Sequence, residues 1–274
     1  MRLKTVPLAF TLHEAARKIS DTPLIIMHGL FGSKQNWRSL SKHLAAKMGR
    51  PVVAVDLRNH GESPHDSVHD FRARCMDVCE LVRKQGWRNA HVLGHSMGGK
   101  VAMHLALERE VYGSDAWLKQ LVVVDMAPVD QTAETAPSLF GGYVQAMNAV
   151  EEARVETPTQ ADAILSQTIP DLHVRQFLLT NLKRSPAGLK FRVNLDALGR
   201  ELLGLWRFNP SGSPHSGPTL FIRGGDSKYI VDEMHPTIFK LFPNATIQTI
   251  DGAGHWVHAD KPDAFVAIVN KFIR

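Results

Sequence analysis

The pentapeptide Gly94-His95-Ser96-Met97-Gly98 has the form G-x-S-x-G, and with its flanks it constrains the fold more than any other stretch of the chain. Ahead of it runs His91-Val92-Leu93, short, apolar and β-prone. Behind it, residues 99–107 are free of proline and rich in helix formers. A serine at the tip of a tight strand-to-helix turn is the layout of a nucleophile elbow. Glycines on both sides meet a steric demand, because the serine backbone is strained and leaves no room for neighbouring Cβ atoms. The helix that follows directs its free N–H groups at the serine and favours negative charge developing there. The pentapeptide alone is weak, since roughly 7% abundance per residue type gives about 0.1 chance matches in a chain of this size. The flanking strand and helix carry the weight.

Short β-rich runs alternate with helical stretches along the rest of the chain. The runs at 23–28, 51–56, 91–94, 121–125, 219–223 and 245–250 are almost continuously apolar. Strands buried on both faces of a parallel sheet read this way, whereas half-exposed strands alternate. Helical patterns at 37–48, 70–85, 97–107, 232–241 and 262–272 lie between or after them. The alternation predicts an α/β architecture with a mostly parallel, doubly wound sheet. Val6, Leu8, Phe10 and Leu12 alternate and predict an antiparallel strand at 5–12. With 274 residues, 44% of them hydrophobic, the chain can bury a large core as one domain or as a domain with an insertion.

The alternation breaks between about 128 and 218. Apolar spacing there is helical throughout, with no convincing strand. Asp171 is suited to cap a helix whose stripe is Leu172, Phe177, Leu178, Leu179 and Leu182. A second helix is predicted from about Leu189, carrying Leu195, Leu198, Leu202, Leu203 and Leu205. Residues 211–218 read as a return loop. The expected organisation is a core of 1–128 and 217–274, with a helical lid at 129–216 inserted after the sixth strand.

The 32 Lys and Arg against 27 Asp and Glu give a net charge of +5, but the basic residues are scattered and leave no nucleic-acid footprint. No run of about 18 apolar residues exists to span a membrane. Met1-Arg2-Leu3-Lys4 lacks the apolar stretch of a secretory signal. It is basic and faintly similar to an organelle transit peptide. Cys75 and Cys79, four apart in a predicted helix, read as small buried hydrophobes in a reducing compartment. These features point to an intracellular protein, cytoplasmic or mitochondrial.

Ser96 needs a base within hydrogen-bond reach and an acid to orient that base, in the chain order serine, acid, histidine. His255, in Gly252-Ala253-Gly254-His255-Trp256, follows the last strand and is the best placed of 14 histidines. An oxyanion hole needs backbone N–H groups aimed at the developing charge. Met97, next to the serine, supplies one. Leu30, in His28-Gly29-Leu30-Phe31-Gly32, is the expected second donor. His65-Asp66 and His69-Asp70 lack an H-E-x-x-H arrangement and read as a solvated polar loop, not a metal site. G-x-G-x-x-G is absent.

H-G-L-F-G-S, D-x-R-N-H-G-x-S-P, G-H-S-M-G-G-K, V-D-M-A-P-V and A-G-H-W-V-H-A occur in this order. Together they resemble the α/β-hydrolase superfamily from about Leu24 to the end of the chain. The closer resemblance is to the small esterases related to α/β-hydrolase domain-containing protein 11, with members in bacteria and mitochondria. The resemblance implies an α/β-hydrolase fold and structural roles for Asp56, Arg58 and His60. The superfamily usually sets its acid in a G-x-x-D pattern after the strand at 219–223. Counted from Gly224, that position is Ser227, and Asp226 lies one residue early. Asp125, at the end of the preceding strand, is the favoured acid by resemblance, with Ser227 as an auxiliary hydrogen-bonding group. Asp226 and then Asp196 are the alternatives.

The resulting expectation is a serine hydrolase that cleaves carboxylic esters of short to medium acyl chains through an acyl-enzyme, without metal or organic cofactor. Its expected partner is a small-molecule acyl ester. Lid leucines and phenylalanines, with Phe31 and Trp256, are expected to form an apolar acyl pocket, and Phe177 and Leu203 are candidates for its wall. A thioesterase, lipid hydrolase or carbon–carbon bond hydrolase with the same triad, or a non-catalytic hydrolase-fold binding partner, are the alternatives.

Overall fold

The apolar runs become strands of one sheet because each has two faces to bury. A computed structural model describes residues 4–131 and 136–273. Met1, Arg2 and Leu3 of the basic N-terminus, and positions 132–135 of the insertion, lie outside the described residues. The strands of the sheet are β1 (Phe10–His13), β2 (Leu24–Met27), β3 (Val52–Val55), β4 (Ala90–His95), β5 (Leu118–Val124), β8 (Thr219–Gly224) and β9 (Ala245–Ile250). Their order is β1-β3-β2-β4-β5-β8-β9. Only β1 runs antiparallel, against β3; the other pairings are parallel. The antiparallel strand expected at 5–12 is thus present but shorter and shifted, at the sheet edge.

Alternate residues of each central strand enter two separate cores. Ile25, Met27, Val53, Val55, Val92, Leu121 and Val123 pack with helices α2 (Phe71–Gln85) and α3 (Met97–Leu107). Leu24, Ile26, Val52, Ala54, Leu93, Val122 and Val124 pack with α1 (Arg38–Met48) and α11 (Pro262–Phe272). The period-2 pleat therefore sends apolar side chains both ways, which is why these strands show no polar alternation. Short helices α4 (Arg109–Tyr112), α9 (His235–Leu241) and α10 (Val257–Asp260) complete the core layers.

The insertion follows β5, the fifth strand, rather than a sixth, because a single antiparallel strand precedes β2. It contains α5 (Ala136–Glu152), α6 (Pro158–Leu165), α7 (Leu172–Leu179) and α8 (Leu195–Trp206). Asp171 caps α7 as expected, accepting from the His173 and Val174 N–H groups. The all-helical expectation fails at one place. Leu182–Ser185 and Gly188–Phe191 form an antiparallel hairpin, β6 and β7. Leu182 leaves the α7 stripe, and Leu189 lies in a strand rather than starting a helix. The signal is local: Ser185-Pro186-Ala187-Gly188 is a turn sequence, and Gly188 takes a φ of 99°. Leu189 and Phe191 are buried while Lys190 between them is exposed, a period of two. The last helix starts instead where Asn194 accepts from the Ala197 N–H at 3.2 Å.

Parallel pairing brings the carboxyl ends of β4, β5, β8 and β9 to one edge, where open α/β sheets gather reactive groups. Ser96 follows β4, Asp125 follows β5, Ser227 follows β8 and His255 follows β9. The strand ends are locked to each other: Ser96 N–H donates to the Val124 carbonyl at 3.1 Å, and Asp125 N–H to the Ile222 carbonyl at 2.8 Å.

Candidate active site

The elbow exists because its glycines have no Cβ. Ser96 takes φ 53° and ψ −116°, an unfavourable conformation for a residue with a side chain. A Cβ on Gly94 would collide with the Gly98 carbonyl, and one on Gly98 with the Met27 carbonyl. The turn thus packs backbone against backbone, and α3 begins directly behind Ser96. A similar close approach brings in the histidine loop: a Cβ on Gly224 would strike the Gly254 carbonyl.

Ser96 and His255 line one cavity of about 240 Å³, with His28, Leu30, Phe31 and Trp256 also in its wall. On the far side of the imidazole, His255 Nδ1–H donates to Asp125 Oδ2 at 2.8 Å. Asp125 is fully buried and takes a positive φ of 47°. Its carboxylate accepts two more hydrogen bonds, from Ser227 Oγ–H at 2.5 Å and from Gly224 N–H at 3.1 Å. A buried carboxylate needs such donors to offset its desolvation. The other two acids lie elsewhere. Asp226 is exposed, with its N–H on the Ala253 carbonyl, and Asp196 is exposed in the first turn of α8. Asp125, Ser227 and His255 are therefore brought together, and Asp226 and Asp196 are not joined to them.

Three buried neutral histidines brace the loops. His28 Nδ1–H donates to the Gly29 carbonyl at 2.7 Å, and its Nε2 accepts from Leu57 N–H at 3.0 Å. His60 Nδ1–H donates to the Arg58 carbonyl at 3.0 Å, and its Nε2 accepts from Phe31 N–H at 3.3 Å. His95 Nε2–H donates to the His255 carbonyl at 2.9 Å. Burial pushes the pKa of His28 down and those of His60 and His95 well down, so each ring stays neutral with one tautomer fixed by its backbone partners. Asp56 binds the Lys34 N–H and ammonium and the Glu62 N–H, and Arg58 makes a two-point pair with Asp77. These residues order the loops after β2 and β3.

The histidines and aspartates of the loop at 65–70 take separate places. His65 is exposed and bonds the Arg192 carbonyl, and Asp70 caps α2. His69 differs from the expected solvated residue, being fully buried against Asn59 and His60. Cys75 and Cys79 are free thiols raised by burial, Cys79 to about 12. Among the described residues no helix is long and apolar enough to cross a membrane.

The sequence model of the alpha/beta hydrolase family matches residues 24–268. The chain belongs to the alpha/beta hydrolase family. Within this family it is 40% identical to the mouse sn-1-specific diacylglycerol lipase ABHD11, over 99% of this chain and 86% of that protein. It is 35% identical to Esterase YbfF of Escherichia coli, over 94% of this chain and 96% of that protein. The solved structure of a marine microorganism esterase superposes with a TM-score of 0.88 at 31% identity, covering 98% of this chain and all of that one. The protein is an esterase- or lipase-type hydrolase of the alpha/beta hydrolase family.

Sequence reasoning missed three residues, of which Tyr229 lines the cavity and the other two tie elements around it. Asn181, buried at the end of α7, donates to the Phe31 carbonyl at 2.7 Å and ties the insertion to the loop after β2. Lys100, buried in α3 with its pKa lowered to about 7 by burial, donates to the Trp206 carbonyl at 2.9 Å and anchors the end of α8. Tyr229 lies over the face of His255. Lys100 closes the G-H-S-M-G-G-K motif, but its partner, like those of Asn181 and Tyr229, is brought in by tertiary packing. Of the two wall candidates, Phe177 lines the cavity, whereas Leu203 is 57% exposed and points away from it.

Proposed function

We propose that the protein hydrolyses carboxylic esters through Ser96, His255 and Asp125. The observation that carries this reading is the 2.8 Å hydrogen bond from His255 Nδ1 to a fully buried carboxylate, beside a cavity that His255 shares with Ser96. That bond fixes the tautomer that leaves Nε2 free to accept the Ser96 proton, and the carboxylate stabilises the imidazolium that forms. Ser96 attacks the ester carbonyl, the alcohol leaves with the proton from His255, and water then cleaves the acyl-enzyme with His255 as base.

The oxyanion is received by the N–H groups of Met97 and Leu30. Met97 opens α3, where N–H groups have no intrahelical acceptor. In the other loop, Phe31 N–H is held by His60 and Gly32 N–H by the Gly29 carbonyl. Leu30, which lines the cavity with Ser96, is the proposed donor of that turn. Ser227 supports Asp125. The segment at 129–216 serves as a lid, since Phe140, Tyr143, Phe177 and Leu178 from α5 and α7 wall the cavity opposite Ser96.

The volume of about 240 Å³ lies below the range of about 300–1,000 Å³ that holds drug-sized ligands, which favours short to medium acyl groups. The mouse relative's name motivates a second reading, a diacylglycerol lipase with the same triad. One experiment addresses both. A fluorophosphonate probe is expected to label the wild type once, at Ser96, and to leave Ser96→Ala unlabelled and inactive. An ester series from acetyl to palmitoyl, with a 1,2-diacylglycerol beside it, is expected to peak at short to medium chains. Labelling at another serine overturns the nucleophile. A preference for the diacylglycerol replaces the first reading with the second.

A further inference from the structure

His255 has an edge and a face, and the ester-hydrolase reading uses only the edge. Nδ1 is held by Asp125, and the backbone carbonyl by His95. The face is covered by Tyr229, with ring centroids 3.9 Å apart and planes 28° apart. Tyr229 is itself backed by Trp206, stacked at 6.1 Å and 23°. Its backbone N–H donates to Ser227 Oγ at 3.2 Å, the same hydroxyl that donates to Asp125. The tyrosine is thus fixed by the acid's own support on one side and by the last residue of α8 on the other.

We infer that the Tyr229 ring stabilises His255 as an imidazolium and so acts as a charge-supporting residue for the proposed ester hydrolysis. This rests on His255 being the base. When Ser96 Oγ–H gives its proton to Nε2, the ring stacked on Tyr229 becomes a cation lying within about 6 Å of an electron-rich π face, the geometry of a cation–π contact. An uncharged imidazole gains much less from such a face. The contact therefore strengthens as the proton moves, which is what lowers a barrier rather than merely tightening binding. The proton later passes to the leaving alcohol, and the contact relaxes again.

The other groups facing His255 do not duplicate this. Asp125 reaches the Nδ1 edge. His95 and His258, whose pKa values are lowered by burial, the latter to about 3, are neutral neighbours. Trp256 meets the imidazole edge-on at 6.0 Å. Burial, aided by the Asp125 charge, raises the Tyr229 phenol to about 12, so the ring remains a neutral phenol across the working range.

The test separates ring electronics from shape. Tyr229→Leu is expected to lower kcat about 3- to 30-fold, the equivalent of a cation–π contact, and to move the acid limb of the kcat/KM profile to lower pH. Tyr229→Phe is expected to restore most of the loss. Phenylalanine carrying one, two or three ring fluorines at position 229 keeps the shape and drains the π face, so kcat is expected to fall stepwise with each fluorine. His255→Ala is run beside the series, with thermal unfolding of every variant. An inactive His255→Ala with a flat fluorine series, or a Tyr229→Phe no better than Tyr229→Leu, overturns the role of Tyr229 alone. An active His255→Ala overturns the base assignment beneath it.

Discussion

The strand ends and the helical insertion wall the same cavity by opposite means. On the core side Asp125 and three histidines are held by directed hydrogen bonds. Asp125 accepts three donors, and His28, His60 and His95 each have a fixed tautomer. On the insertion side the wall is aromatic and aliphatic, and Asn181 supplies a polar tie to the loop after β2. Directional bonds hold a group to a fraction of an ångström, whereas apolar contacts tolerate changes of shape. Under the proposed function, chemistry falls to the core and the selection of acyl groups to the insertion. Substitutions on the two sides are expected to fail in different ways.

The largest effect is expected from the acid. Asp125→Asn removes the carboxylate and invites the wrong imidazole tautomer, so kcat is expected to fall about 10³- to 10⁴-fold. Asp226→Asn and Asp196→Asn, both at exposed positions, are expected to stay within about twofold. Ser227→Ala deletes one donor to a charged acceptor, a loss of about 10- to 100-fold. Steady-state kinetics on one short-chain ester, with thermal unfolding of each variant, measures all four. A dead Asp226→Asn beside an active Asp125→Asn would reverse the assignment.

The core's neutral histidines set the next effect. His28, His60, His69, His95 and His258 all have lowered pKa values, chiefly through burial. Above the ordinary histidine value of about 6.5 they are neutral in both the folded and the unfolded chain. Below it the unfolded chain takes up protons that the folded chain refuses, so stability is present above that pH and lost as pH falls toward the lowered values. Each ring contributes about 1.4 kcal/mol per pH unit in that window. Chemical denaturation between pH 7 and pH 5 is expected to show a steep loss, and a flat profile would contradict it.

Across the boundary, Asn181→Ala leaves the Phe31 carbonyl without its side-chain donor, a cost of about 1–3 kcal/mol. Phe31 holds a positive φ of 59°, so the loop is expected to relax and kcat to fall more than KM rises. A change in KM alone would make Asn181 part of the pocket rather than of the loop's support. The smallest effect is expected in the wall. Phe177→Ala should shift the preferred acyl length upward, whereas Leu203→Ala, exposed on α8, should not.

The same contrast explains what could be read from the chain. The core was legible because parallel strands buried on two faces leave continuous apolar runs, and because the elbow and the loop around His255 each carry a local steric signature. The placement of Asp125 and Ser227 near His255 was legible from the strand end and from the serine at the usual acid position. The insertion was legible only in part. Its leucines suggested helices, yet the turn at 185–188 makes a hairpin from residues whose apolar count suits either period. The contacts of Asn181, Lys100 and Tyr229 left no sequence signal, since their partners Phe31, Trp206 and His255 lie apart from them in the chain.

The central claim is that Ser96 carries the acyl group. Enzyme turning over a short-chain aryl ester can be acid-quenched and its peptides mapped by mass. The prediction is an acyl adduct on the peptide bearing Ser96, formed in a burst that matches the enzyme concentration and absent from Ser96→Ala. Full turnover with no covalent adduct, or an adduct on any other residue, would contradict it.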